Sequence, residues 1–368
     1  MIFSTILVFF AILYLFELAF YSYAAFRARR EDRKKRELNS SPMVTVVVAA
    51  RDEEKHLPAC LDSLTSLNYP HDRLEVIIVN DQSADGTADL IDRTAQQFGF
   101  VERLDALENR DLQGKTNALS QGIDEAKGEF IFLTDADCVV PATWVTETLK
   151  YFGPEVGIVA DVTLISKTEK IVHGIQALDW DILLSVGAGA ATIGKPIACL
   201  GNNLVFRKQA YEDVGGYTRI KFSVTEDFAL FKAIADSRKW RYRFPMERKA
   251  LVETLPVESL KEVFSQRKRW ATGGKETGLF GYLTLAPGFL LHWLTIASIF
   301  ISFQLFVAVF ILKLAIDSAF VFPTLKHYGK IGHLKFIVYF EIYYLVYVAI
   351  LPFAVYFGKR VIWKGRDY

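Results

Sequence analysis

The chain is poor in the residues that staple or metallate small folds. Among its 368 residues there are only three cysteines, three methionines and six histidines. Cys60, Cys138 and Cys199 share no CxxC spacing and the histidines are scattered, which argues against a disulfide framework or a zinc site and fits reduced thiols on the cytosolic side. A charge imbalance is missing too: 43 Lys and Arg against 42 Asp and Glu leave a formal net charge of +1. That balance gives no reason to expect nucleic acid or an acidic polymer as partner. Charge itself is missing from two stretches. Residues 1–26 carry Glu17 alone, and residues 277–312 contain no Asp, Glu, Lys or Arg.

What is present instead is apolar mass, 51% hydrophobic and 14% aromatic residues with a mean hydropathy of +0.20, concentrated at the two ends. Such a chain reads as membrane-attached. At about 1.5 Å per helical residue, residues 1–26 suffice to cross a bilayer core of roughly 30 Å. Arg27, Arg29, Arg30, Arg33, Lys34, Lys35 and Arg36 follow the apolar run rather than precede it. That order indicates an uncleaved anchor with a basic juxtamembrane linker, 27–41, in the cytoplasm of a cell or inner membrane. A cytoplasmic domain is then expected over 42–276. Within 277–312 the part up to Pro287 is expected along the interface, with Phe280, Tyr282 and Phe289 among the headgroups, and the rest in the bilayer. An external loop over 313–335, a last span over 336–357 and a cytoplasmic tail over 358–368 complete a topology of one N-terminal and two C-terminal spans. Glu17 and Glu341 are lone carboxyls within spans, costly enough to suggest either a function or a partner on a neighbouring helix.

From residue 43 the pattern alternates: strands at 43–50, 74–80 and 100–104, with helices at 55–67, 86–98 and 115–126. This βαβ rhythm predicts an α/β fold, a doubly wound sheet with helices on both faces. Later segments predict a strand at 156–165, a helix at 169–186, a small-residue loop at 187–195, strands at 201–207 and 240–252, and a helix at 226–238. Phe130-Ile131-Phe132-Leu133 has the continuous apolar character of a central strand, and it runs into Asp135-Ala136-Asp137. If extended geometry persists, the two carboxylates point the same way and suit Mg2+ or Mn2+ completed by waters and phosphates. A surface turn after a strand is the plain alternative. Arg51–Glu54, residues 80–87 and residues 135–138 all follow strands at the carboxyl edge, where such sheets bind ligands.

Four motifs in order then resemble those of the membrane-bound family 2 glycosyltransferases: Val79-Asn80-Asp81-Gln82 for the first Asp, Asp135-Ala136-Asp137 for DxD, Thr225-Glu226-Asp227 for the third acid and Gln266-Arg267-Lys268-Arg269-Trp270 for QxxRW. The resemblance covers about residues 43–275. Asn80, Gln82 and Ala84 depart from the commoner Asp-Asp-Gly-Ser-Thr-Asp wording, and Asp52 stands where Asn is usual. It implies a nucleotide-sugar-binding mixed sheet of the glycosyltransferase A type. Glu53 and Asp81 would hold the nucleoside, Asp135 the ribose or metal, Asp137 the metal, and Lys115 would lie near the donor. Asp227 would be the general base of an inverting displacement, although a first-turn acid complementing a helix dipole, capped by Thr225, is the alternative for it. Gln266, Arg269 and Trp270, at i, i+3 and i+4, share a helix face. There Arg269 can grip a diphosphate, Trp270 can pack on acceptor or sugar, and Gln266 can orient a hydroxyl. Arg267, Lys268 and Arg269 alone would read as a membrane-surface stripe.

The architecture looks most like the ceramide glucosyltransferase type: transfer from a nucleotide diphosphate sugar, uridine being the commonest base in the family and guanosine staying open, to a lipid hydroxyl. A processive polysaccharide synthase carries the same motifs, and a non-catalytic nucleotide-sugar-binding scaffold is the third reading.

Overall fold

The run Val-Thr-Val-Val-Val-Ala-Ala is rich in β-branched side chains that lose χ1 freedom in a helix and pack well on a pleated surface. It forms the first strand of a computed structural model that describes residues 2–31, 37–38, 40–109, 111–357, 362–363 and 366–367. Arg33, Lys34, Lys35 and Arg36 and the tail cations Lys359, Arg360 and Lys364 lie outside the described residues. In chain order the elements begin with α1 (Ile2–Glu31), β1 (Val44–Ala50), α2 (Leu57–Thr65), β2 (Leu74–Asn80), α3 (Thr87–Gln97), β3 (Val101–Asp105) and α4 (Gly114–Glu125). Next come β4 (Phe130–Asp135), β5 (Cys138–Val139), α5 (Trp144–Leu149), β6 (Val156–Ala160), β7 (Thr163–Ile165), α6 (Ile171–Thr192) and β8 (Leu204–Arg207). The chain continues with α7 (Lys208–Asp213), α8 (Gly216–Arg219), α9 (Glu226–Asp236), β9 (Arg241–Arg243) and β10 (Val252–Thr254). Last are α10 (Leu260–Gly273), α11 (Gly278–Ser298), α12 (Phe303–Tyr328) and α13 (Ile337–Phe357). They fall into two units, Arg29–Leu164 with Cys199–Leu255, and Met1–Ala28 with Ile165–Ala198 and Pro256–Tyr368.

The first unit is built on a seven-stranded sheet of order β3-β2-β1-β4-β8-β6-β9. Strands β3, β2, β1 and β4 are parallel, β8 runs antiparallel to both β4 and β6, and β9 is parallel to β6. The sheet is therefore mixed, as the resemblance implied. The chain works outward from β1 to β3 and then returns to the other side of β1 as β4, so the topological switch point lies between β1 and β4. All seven residues of β2 are buried, the continuous pattern of a strand covered on both faces. Helix α4 packs on β1 and β2, and closely: a Cβ on Gly122 would sit 2.6 Å from Val47 and 2.8 Å from Val79. A polar pin crosses the core, where the indole Nε1 of fully buried Trp144 donates to Asn203 Oδ1 at 2.9 Å and Asn203 Nδ2 donates to the carbonyls of Val162 and Ala250.

Two expected strands of this unit prove to be broken. The strand expected over 156–165 splits into β6 and β7 around Asp161, whose carboxylate accepts from the Val162 and Glu247 backbone N–H groups and so turns the chain. The one expected over 240–252 becomes β9 and β10, with a short 3-10 turn, Arg248–Ala250, between them.

The second unit gathers α1, α6 and α10–α13. Four stretches in it are helical and apolar enough to cross a membrane: Ile2–Arg29, Gly278–Ser298, Phe303–Tyr328 and Ile331–Tyr356. The helix bounds divide this part of the chain differently from the expected segments. Helix α11 continues through Pro287, where an interfacial segment was expected to end, as long apolar helices tolerate a proline. Residues 313–328, expected in an external loop, lie in α12. Lys313 and Asp317 look like the end of an apolar run, yet they are an i,i+4 pair buried with Glu341 of α13. Lys313 Nζ donates to Asp317 and, at 2.5 Å, to Glu341, and the Tyr14 hydroxyl donates to Asp317 at 2.7 Å. Glu341 thus has its partner, while Glu17 is half-buried on α1. The small residues 187–192, expected in a loop, continue α6. They permit close approach, since a Cβ on Gly189 would lie 2.8 Å from the Tyr21 carbonyl of α1.

Candidate functional site

The carboxyl edge at the β1/β4 switch point is where the acidic stretches meet. Strand β4 ends at Asp135, paired with Ala49 of β1, and Ala136 and Asp137 turn before β5. Strand alternation was expected to aim both Asp side chains one way; the turn does it instead. A ligand atom from each of Asp135, Asp137 and Cys138 lies within 4.8 Å of the other two, and among the described residues this is the one such cluster of His, Cys, Asp or Glu. Burial, then the neighbouring Asp135 and Glu53 carboxylates, push the Asp137 pKa up to about 6. Burial raises the Cys138 thiol well above its ordinary value, so it stays protonated and donates weakly to Asp137 at 3.5 Å.

Two loops join this edge. After β1, Asp52 adopts φ +52°, and after β2, Gln82 adopts φ +58°, left-handed positions that Asn and Asp tolerate best. The loops are stitched together: Asp52 N donates to Ser83 Oγ at 3.1 Å, Ala84 N to Asp52 Oδ1 at 2.8 Å, and Glu53 N to Thr87 Oγ1 at 2.8 Å. Asp52 therefore does what its position requires. Asn80 likewise donates to Asp105 of β3 at 2.8 Å. Asp81 is buried, with Arg51 Nη1 3.2 Å from its carbonyl and 3.9 Å from its carboxylate. The Glu53 carboxylate meets His56 Nδ1 at 3.0 Å.

Lys115 ties the edge together. It follows Gly114, which starts α4 at φ +56°, and its ammonium donates to Asp135 and lies 3.4 Å from Glu226. Burial would lower its pKa, but Asp135, Glu226 and Asp227 outweigh burial and raise it above the ordinary lysine value. Next to Glu226, Asp227 opens α9. Its Oδ2 accepts from Gly201 N and its Oδ1 from Phe228 N, both at 2.7 Å. Burial first, then the Glu226 charge, raise its pKa to about 6. Gly201 belongs to the turn entering β8, which runs antiparallel and so begins at the edge where β4 ends. A Cβ there would fall 2.9 Å from Asp227 Cβ. Thr225 precedes the helix but makes no side-chain cap; its hydroxyl pairs with Ser223 at 3.1 Å.

Asp135, Asp137, Lys115, Glu226 and Asp227, with Glu53 within electrostatic reach of Asp137, thus form one constellation. Residues 8–368 match glycosyl transferase family 21. The chain belongs to that family and is an enzyme, a glycosyltransferase. The sequence reading had named family 2; the matching family is 21. The transferase is 30% identical over 267 residues to the poly-beta-1,6-N-acetyl-D-glucosamine synthase of Staphylococcus aureus, a match covering 70% of this chain and 61% of that protein. It is also 30% identical over 237 residues to the Staphylococcus epidermidis protein of the same name, covering 63% and 55%. The match thus spans about three fifths of the length of these relatives. Its fold is similar to that of a mannosyltransferase from Pyrobaculum calidifontis in complex with GDP-Man and Mn2+, at TM-score 0.60, 19% identity and coverage of 96% and 99%.

Gln266, Arg269 and Trp270 belong to the second unit, on α10, and all three are half-buried. Arg267 between them is the buried one. It is ion-paired with Asp179 of α6, donates to Gln266 Oε1 at 2.9 Å and lies 4.1 Å from the Trp270 ring centre. Sequence reasoning gave Arg267 no role of its own, beyond the alternative of a membrane-surface stripe, and passed over Asp179; two carboxylates, Asp179 and Asp181, within a largely apolar α6 were the available signal. It also passed over Gly201, whose role is carried by a backbone N–H and leaves no mark in side-chain chemistry.

Proposed function

We propose that the transferase moves a sugar from a nucleotide diphosphate sugar, a uridine donor first among candidates, to a hydroxyl of a membrane lipid, with inversion. The observation that carries this reading is Lys115, which links the Asp135 carboxylate to Glu226, the neighbour of Asp227. Donor chemistry and acceptor activation are thereby held by one cation. Asp135 and Asp137 suit a hard divalent cation, Mg2+ or Mn2+: two oxygen donors crowded enough to raise the Asp137 pKa are a site that gains by positive charge. Such an ion would neutralise the departing diphosphate. Glu53 and Asp81 would hold the nucleoside. The Asp227 carboxylate, aimed by Gly201 N and Phe228 N, would accept the proton of the acceptor hydroxyl. As that oxygen bonds to the anomeric carbon, the bond from carbon to diphosphate breaks and the nucleotide leaves. Arg269 on α10 would grip the diphosphate, with Trp270 and Gln266 toward acceptor and sugar. The α10 helix leads directly into the apolar α11, so a lipid acceptor is near at hand in the sequence.

A second reading, a polysaccharide synthase, draws on the 30% identity to the poly-N-acetylglucosamine synthases. Product size separates them. Membranes incubated with labelled nucleotide sugar should yield a solvent-extractable lipid of discrete size; a long polymer would overturn the lipid acceptor.

A further inference from the structure

Helices α6, α10 and α13 of the second unit surround a cluster of rings about one guanidinium. The Arg267 Nε donates to Asp179 and its Nη1 to Gln266, and the Trp180 ring centre lies 5.4 Å from that of Trp270, over which Arg267 is stacked. Arg267 is 3% exposed and Trp180 5%. Tyr343 lies within electrostatic reach of both Asp179 and Arg267. Three buried polar atoms here find no hydrogen-bond partner among the described residues: Arg267 Nη2, Trp180 Nε1 and the Tyr343 hydroxyl.

All three can donate, and a donor withdrawn from water with nothing to receive it is costly. A cluster that keeps three of them suits a ligand rich in oxygen acceptors. The ion pair with Asp179 already neutralises Arg267, so the cluster offers donors without net positive charge, which favours an uncharged head over a phosphate. The flanking rings give such a head an amphipathic wall.

We propose that Trp180, Arg267 and Tyr343 form the head-group subsite of the acceptor, an uncharged lipid whose hydroxyl and ester or amide carbonyl oxygens receive these donors. The inference rests on the lipid-acceptor reading above, and names residues outside the motifs that carry that reading, Trp180 and Tyr343. Tyr343→Phe removes one donor while keeping the ring, and Trp180→Phe removes the indole N–H together with part of the ring system. The purified full chain is followed by thermal unfolding in detergent with dioleoylglycerol, phosphatidylglycerol or phosphatidylcholine added. Dioleoylglycerol is expected to raise the Tm through binding to the folded state. Each variant should weaken its apparent affinity about tenfold, the loss of one hydrogen bond to a buried group. The lipid-free Tm should stay equal or rise in Tyr343→Phe and fall in Trp180→Phe, where the smaller ring leaves a cavity, and the shift caused by uridine diphosphate with Mn2+ should not change in either. No dioleoylglycerol shift, or equal affinity in wild type and both variants, overturns the subsite and leaves the donors to water; tighter binding of phosphatidylglycerol overturns the uncharged head. Because the shift is read without turnover, unaltered affinity alongside a labelled lipid product sinks the subsite alone. A polymeric product alongside donor-dependent dioleoylglycerol binding sinks the acceptor reading alone.

Discussion

Replacing Lys115 by methionine tests the electrostatics that join the two halves of the constellation. The ammonium contacts Asp135, lies 3.4 Å from Glu226, and pulls the Asp227 pKa down. Even with that help, Asp227 rises from 3.8 to about 6. At about 1.36 kcal/mol per pKa unit, holding it ionised costs roughly 3 kcal/mol. The folded pKa is above the unfolded one, so this cost is absent at low pH and sets in as pH rises from about 4 through 6. Without Lys115 the shift grows, because a unit charge a few ångströms away at an effective dielectric near 20 contributes a few kcal/mol. One pKa unit or more is expected.

Two measurements follow. The acid limb of kcat, set by a base that must be ionised, should move from about 6 to about 7 or higher in Lys115→Met. The stability deficit against wild type, read from thermal unfolding in detergent, should be larger near pH 7.5 than near pH 5, since the unpaired carboxylates protonate as the pH falls. Lys115→Arg keeps the charge and should keep most of both properties. An unmoved limb in an active Lys115→Met enzyme, or a deficit equal at both pH values, would remove Lys115 from the electrostatics of Asp227; if the variant is inactive, the stability comparison still decides.

Gly201→Ala places a Cβ 2.9 Å from Asp227 Cβ and 3.1 Å from its Oδ2, so kcat should fall about tenfold or more while nucleotide-induced stabilisation persists; wild-type kcat would show that the Gly201 contact does not aim the carboxylate. Asp227→Asn should bind donor but not transfer, whereas Asp137→Ala should lose metal-dependent donor binding as well, both read by thermal shift with uridine diphosphate and Mn2+; normal turnover in Asp227→Asn excludes it as the base. Lys313→Met strands two buried carboxylates and should cost about 3–5 kcal/mol of stability, and replacing Asp317 and Glu341 with leucine at the same time should recover most of it.

The sheet was legible because its strands are written in uninterrupted apolar runs: 74–80 was read to the residue as β2, and β1, β3 and β4 to within a residue or so. The acids at their ends were singled out because four motifs occur in order; a lone Asp-x-Asp after a strand reads as a surface turn. Backbone contributions were not legible. Gly201 aims Asp227 through an N–H that any residue possesses, and only the close approach of Asp227 Cβ demands a glycine. Arg267 was passed over for the opposite reason. In a row of Arg267, Lys268 and Arg269 it looks like its neighbours, and what separates it is Asp179, 88 residues away in sequence. Small residues 187–192 were read as part of a loop, with mobility, close backbone approach and a simple connector all open; they let α6 approach α1, a choice composition does not make because it does not distinguish flexibility from close packing.

The same ambiguity governs the membrane topology, and there it is testable. Lys313 and Asp317 ended an apolar run in the sequence and so placed 313–335 outside the membrane. Their side chains are only 1% and 2% exposed, and with Glu341, at 0%, they form a group in which one ammonium pairs with both carboxylates, and such pairing is the condition under which charge is tolerated inside a bilayer. Once these charges stop counting as terminators, α11 and α12, joined by residues 299–302, are each long and apolar enough for a crossing, where an interfacial segment and one crossing were expected. The readings differ in the side they give to Gly332, which is exposed and has open space at its Cβ position. If the first unit is cytoplasmic, separate crossings by α11 and α12 return Gly332 to the cytoplasmic side, whereas the three-span reading leaves it outside. The native cysteines, Cys60, Cys138 and Cys199, are all buried, so a Gly332→Cys variant can be labelled in intact cells against a quiet background. Protection from a membrane-impermeant maleimide until the cells are opened is the expected result; labelling of intact cells would restore the external loop and return α11 to the interface.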